Sequence, residues 1–99
     1  MEALGEGVVC YHFHSSVAPY GAPGGCPAGN FTGWHIYGAL WEPGKVTYYY
    51  DGKRVGTITL GITSSPMYLI LNYAVSTKHG GPPRIPATMR VDYVQVYTK

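Results

Sequence analysis

Apolar and polar residues follow one another in short runs broken by glycine and proline, a pattern with a period of two rather than 3.6. It predicts strands and no helix. Residues 8–14 form the first run, rich in β-branched and aromatic side chains with no breaker inside. Residues 34–41 and 46–50 form the next two. Glu42-Pro43-Gly44-Lys45 joins them, with Pro presetting φ at the first central position and Gly accepting a positive φ at the second. Asp51-Gly52 is a two-residue hairpin signal, and residues 54–60 follow it as a strand. Residues 67–75 are the longest apolar run, expected as a central strand covered on both sides. Residues 89–97 close the chain. The segments 15–30 and 76–86 hold so many Gly and Pro residues that regular structure is not expected there.

Strands joined mainly by hairpin turns pair antiparallel, and two such sheets bury their apolar faces against each other. The expected fold is therefore an all-β, antiparallel β-sandwich in one domain spanning 1–99. In the run 67–75, alternation puts Met67, Leu69, Leu71, Tyr73 and Val75 on one face and Tyr68, Ile70, Asn72 and Ala74 on the other. Asn72 is thus a lone amide among apolar neighbours. It is either a hydrogen-bonded core amide or a group facing a wet cleft.

Composition narrows the function. Charged residues make up only 12% and the net charge is +2 without clustering, which gives no case for nucleic acid or an anionic membrane. No apolar stretch reaches the length of a membrane span, and no signal-peptide pattern is visible. Ten tyrosines and two tryptophans supply flat faces with a polar edge, suited to stacking on sugar rings. Several strand aromatics must be core, and sequence does not sort them. Cys10 and Cys26 enclose fifteen residues, a loop whose closure would stabilise by about 3 kcal/mol; two free thiols are the alternative. Asn30-Phe31-Thr32 is a glycosylation sequon at Asn30. Both features favour a secreted protein.

His12 and His14 stand at i and i+2 of a predicted strand and share a face. Two imidazoles fall short of a closed metal site, so no metal is expected and the pair is read as polar cleft residues. No Ser/His/Asp triad and no phosphate loop is legible.

Three blocks in order resemble glycoside hydrolase family 16, the jelly-roll endo-β-1,3(4)-glucanases or laminarinase-like enzymes. Trp41-Glu42-Pro43-Gly44-Lys45 with Tyr50-Asp51-Gly52-Lys53 is similar to the family's W-x-P…Y-x-D-G hairpin. Met67-Tyr68-Leu69-Ile70-Leu71-Asn72 resembles its strand ending in L-N, and Val91-Asp92-Tyr93-Val94-Gln95-Val96-Tyr97 its closing strand. Met1-Glu2 matches the last two letters of the catalytic E-[IL]-D-x-x-E strand. The chain thus resembles the C-terminal part of that family.

The resemblance implies a truncated jelly roll, β-glucan as ligand and no cofactor. Asn72 then lines the sugar cleft, with Tyr68, His12, His14 and Trp34 as further candidate contacts. Glu2 would correspond to the acid/base. Retaining hydrolysis needs two carboxyls about 5–5.5 Å apart; Glu6, four residues after Glu2, falls beyond Gly5 in an expected turn, so no second carboxyl is expected beside Glu2. The expectation is a β-glucan-binding module that is non-catalytic as an isolated chain. The alternatives are a glucanase piece completed by another segment, or an interaction domain without sugar affinity. Open sheet edges attract strands, so a homodimer or strand exchange is also expected.

Overall fold

The computed structural model describes residues 1–3, 9–17, 24–27, 29, 32–72 and 88–98. The described secondary structure is all β, in two antiparallel three-stranded sheets. The first sheet orders β1 (Glu2–Ala3), β2 (Val9–His12) and β3 (Gly24–Gly25) side by side. The second is a meander of β4 (Tyr37–Glu42), β5 (Lys45–Tyr50) and β6 (Lys53–Ile58).

The meander follows from its turns. Gly44 has φ of 74°, the left-handed value that only glycine adopts without a side-chain penalty. Glu42 pairs with Lys45 across this turn, and their side chains meet at 3.1 Å. At the second turn Asp51 (φ 47°) and Gly52 (φ 78°) are both left-handed, the two-residue hairpin that matches strand twist. In β6 an extra residue, Val55, lies between Gly56 opposite Tyr48 and Arg54 opposite Tyr49. This bulge turns Val55 onto the core.

The sheets bury one small core between them. Phe13, Val46, Tyr48 and Ile58 form it, with Tyr11, Val55 and Ile62 packed at its margin. The Tyr11 ring stacks on Tyr48 with centroids 4.8 Å apart. Two glycines make room for it: a Cβ at Gly25 would stand 2.6 Å from the Tyr11 hydroxyl, and one at Gly56 would overlap the same ring. The Tyr48 hydroxyl donates to the His12 carbonyl at 2.9 Å, and the Ser15 hydroxyl donates to the Gly61 carbonyl at 2.6 Å. These bonds tie the first sheet to the second.

Three sequence expectations change. Residues 67–72 and 89–97 form no strand, and they are exposed. A β-strand needs a partner for its backbone as well as apolar side chains. Among the described residues no strand pairs with either run. Residues 73–75, and the predicted loop 76–86, lie outside the described residues. In the opposite direction, Gly24 and Gly25 lie in a stretch expected to lack regular structure, yet they pair with His12 and Tyr11. The disulfide between Cys10 and Cys26, with Cα atoms 4.1 Å apart, brings this segment to β2. The absence of a side chain at Gly24 lets it approach the His12 ring.

Candidate functional site

β2 carries the first group of candidate residues. Phe13, just past the strand's end, belongs to the core; Val9 is buried on one side of the strand and Cys10 on the other. His12 and His14 follow Cys10 on that second side, with their rings stacked 6.0 Å apart. Gly24 packs on the His12 ring. Among the described residues no group of three His, Cys, Asp or Glu side chains could hold a metal. The backbone of Glu2 pairs with Cys10, which seats β1 beside this strand. Asn30 lies outside the described residues.

The second group was not foreseen as a unit. Trp34 is 66% exposed and stands on the segment leading into β4. Its neighbour His35 is enclosed by acceptors. The ring Nδ1 lies 2.8 Å from Asp51 Oδ2 and 2.8 Å from the Tyr50 hydroxyl, and Nε2 lies 2.6 Å from the Thr32 carbonyl. The other Asp51 oxygen accepts the Ile36 N–H at 2.8 Å, and the Asp51 N–H donates to the Ile36 carbonyl at 2.8 Å. Asp51 therefore holds both the side chain of His35 and the backbone of Ile36 from a left-handed turn position that Asp tolerates.

The electrostatics of this cluster agree with its geometry. The hydrogen bond to Asp51 is the largest effect on His35 and raises its pKa above the ordinary 6.5, with smaller upward effects from the Thr32 carbonyl and the Asp51 charge. Asp51 is held below its ordinary 3.8, first by the Ile36 N–H and then by His35. Desolvation, and then the Asp51 carboxylate, push the Tyr50 phenol up. Rings extend the cluster: His35 to Tyr50 at 5.0 Å and Tyr50 to Tyr37 at 5.7 Å.

Two shallow recesses open beside these elements. One, of about 250 Å³, is lined by Gly33, Trp34, Thr88 and Arg90. The other, of about 430 Å³, lies between the β4–β5 turn and residues 62–64, with Trp41 as its wall. The Trp41 indole N–H donates to the Thr63 carbonyl at 3.2 Å. Neither recess is lined by His12, His14, Tyr68 or Asn72. Tyr68 is 84% exposed, and Asn72 is exposed too. The predicted contacts are thus distributed over the surface, and only Trp34 lines a recess.

The His35–Asp51 pair had a signal in the sequence. Counting outward from the turn at Pro43-Gly44, residue by residue, brings Ile36 opposite Asp51, so His35 adjoins the second turn.

No family model and no solved structure matches the chain. Curated proteins do. Over 82 residues the chain is 35% identical to glucan endo-1,3-beta-glucosidase A1 of Niallia circulans, covering 65% of this chain and 12% of that protein. Over 72 residues it is 33% identical to endo-1,3-1,4-beta-glycanase EglC of Rhizobium meliloti strain 1021, covering 68% of this chain and 15% of that one. Over 113 residues it is 30% identical to keratan-sulfate endo-1,4-beta-galactosidase of Sphingobacterium multivorum, covering 98% and 27%. The chain spans well under a third of each of these relatives. Over the part that matches, this all-β chain is related to the endo-1,3- and endo-1,3-1,4-β-glucanases.

Proposed function

We propose that the chain is a β-glucan-binding module of family 16 descent, non-catalytic when isolated. The observation that carries this reading is Trp34, an exposed indole on a segment pinned to a hairpin, in a chain related to glucanases. An indole offers a flat apolar face for the C–H side of a glucose ring. Held in place before the sugar arrives, it loses little freedom on binding. Thr88 and Arg90, beside it, supply donors for hydroxyls at the rim. Tyr68, Asn72 and the His12–His14 face are further candidate contacts for a longer oligosaccharide. The paired Cys10 and Cys26 fit a secreted protein.

Depletion onto insoluble β-1,3-glucan tests this reading. The chain should partition to the polysaccharide, and Trp34→Ala should weaken retention about tenfold, the loss of roughly 1.4 kcal/mol of stacking. Equal retention of the variant would remove Trp34 from the binding surface.

A second reading rests on β1. The backbone of Glu2 pairs into the sheet beside β2, and by the family resemblance Glu2 takes the place of the acid/base, with the nucleophile coming from another segment. In that reading a separately supplied glucanase N-terminal half restores hydrolysis and Glu2→Gln abolishes it. Hydrolysis unchanged by Glu2→Gln would contradict the assignment.

We further propose that the chain self-associates by strand pairing, since the apolar runs 67–72 and 91–97 are exposed and unpaired among the described residues.

A further inference from the structure

Segment 32–36 is fastened at both ends, and Trp34 sits at its middle. At one end the His35 ring reaches back to the Thr32 carbonyl; at the other, Asp51 takes the Ile36 N–H. Gly33 turns the backbone between them with φ of 79°. The fastening depends on a proton. A backbone carbonyl only accepts, so the His35 Nε2 must donate to Thr32. A carboxylate only accepts, so Nδ1 must donate to Asp51. Both conditions hold together only in the imidazolium. In the neutral ring with its proton on Nε2, Nδ1 presents a lone pair to the carboxylate. The Tyr50 hydroxyl can then donate to Nδ1, but the bridge to Asp51 is gone.

From this geometry we infer that His35 is the positioning residue of the Trp34 platform: its imidazolium clamps segment 32–36 to the Asp51 turn, and sugar binding weakens as that proton is lost. The inference rests on the proposed role of Trp34 in glucan binding. Among the described residues, the titratable groups facing the ring are Asp51 and Tyr50. Tyr37 touches Tyr50 rather than His35, and Lys53 lies opposite Tyr50 in the strand register. The pair with Asp51 moves the His35 titration upward, so the clamp is closed at mildly acid pH and opens as pH rises through that titration.

The test measures the affinity for laminari-oligosaccharides from pH 5 to 8.5 in the natural chain, Asp51→Asn and His35→Gln. The indole N–H signal of Trp34 is followed by NMR over the same range without sugar. Asn tolerates the left-handed turn and keeps an oxygen for the Ile36 N–H, so Asp51→Asn removes the charge with little change of shape. The expected result is a several-fold loss of affinity in the natural chain as His35 titrates. The midpoint moves to lower pH in Asp51→Asn, and His35→Gln shows a flat profile. A pH profile that Asp51→Asn leaves in place would belong to a group other than His35 and would overturn the clamp. An affinity independent of pH, with Trp34→Ala still losing binding, overturns the clamp and spares the glucan-binding role. If no sugar binds, that role fails, and a Trp34 signal that does not change with pH overturns the clamp separately.

Discussion

At the residue scale, the charged pair between His35 and Asp51 gives stability a defined pH window. The His35 pKa is raised by folding, so its contribution is complete below the ordinary 6.5 and is lost as pH rises through the folded value. The Asp51 pKa is lowered. Its contribution is complete above the ordinary 3.8 and is lost as pH falls through the folded value. The chain should resist denaturant best between these limits. Urea unfolding across pH should show the alkaline decline removed by His35→Gln; an identical decline in the variant would assign it to another group. Gly56 gives a prediction of a different kind. A Cβ there overlaps the Tyr11 ring, which stacks on Tyr48. Gly56→Ala should cost about 1–3 kcal/mol by overpacking, read from the urea midpoint, and no loss would mean that the ring moves freely. Neither feature is visible one residue at a time. His35 becomes legible once the hairpin register is counted, whereas the neighbour of Gly56 comes from β2, far away in sequence.

At the element scale, what the sequence shows clearly is what local chemistry decides. The meander of β4, β5 and β6 was legible because Pro43-Gly44 and Asp51-Gly52 dictate their turns and so the register of everything between. The candidate contacts His12 and His14 were legible as a facing pair for the same local reason, alternation along the run that begins in β2 and continues past its end. Residues 67–72 and 89–97 read as strands from their side chains, yet the ladder is a property of two segments, and periodicity says nothing about whether a partner is present. Gly24–Gly25 is the reverse case. Its composition speaks against a strand, and the closure to Cys10 through Cys26 supplies a pairing that propensity alone would not. Removing both cysteines as Cys10→Ala with Cys26→Ala should lower stability by about 3 kcal/mol. Backbone amide exchange in β3 should rise at the same time. Protection of Gly25 unchanged in the variant would mean that β3 holds without the bridge.

At the scale of the whole molecule, a small core is set against a large apolar surface. Among the described residues, Ile58 and Cys10 are the largest side chains that are fully buried, while Met67, Leu69, Leu71, Val91, Val94 and Val96 are all exposed. Exposed apolar residues, where they cluster, mark an interaction face or an aggregation liability. Leu69→Lys with Val94→Lys should shift sedimentation toward the monomer, and a sedimentation profile unaffected by the pair would place any self-association elsewhere. The candidate sugar contacts are also distributed at this scale: Trp34 lines a recess with Arg90, while Tyr68 and Asn72 stand on a separate exposed run. We propose that this chain binds β-glucan without cleaving it. Isothermal titration with laminari- and mixed-linkage gluco-oligosaccharides at pH 6, with reducing ends assayed in the same samples, tests it most directly. The expected outcome is saturable heat, no product, and a weaker isotherm for Trp34→Ala. No heat at millimolar oligosaccharide, or heat accompanied by new reducing ends, would contradict it.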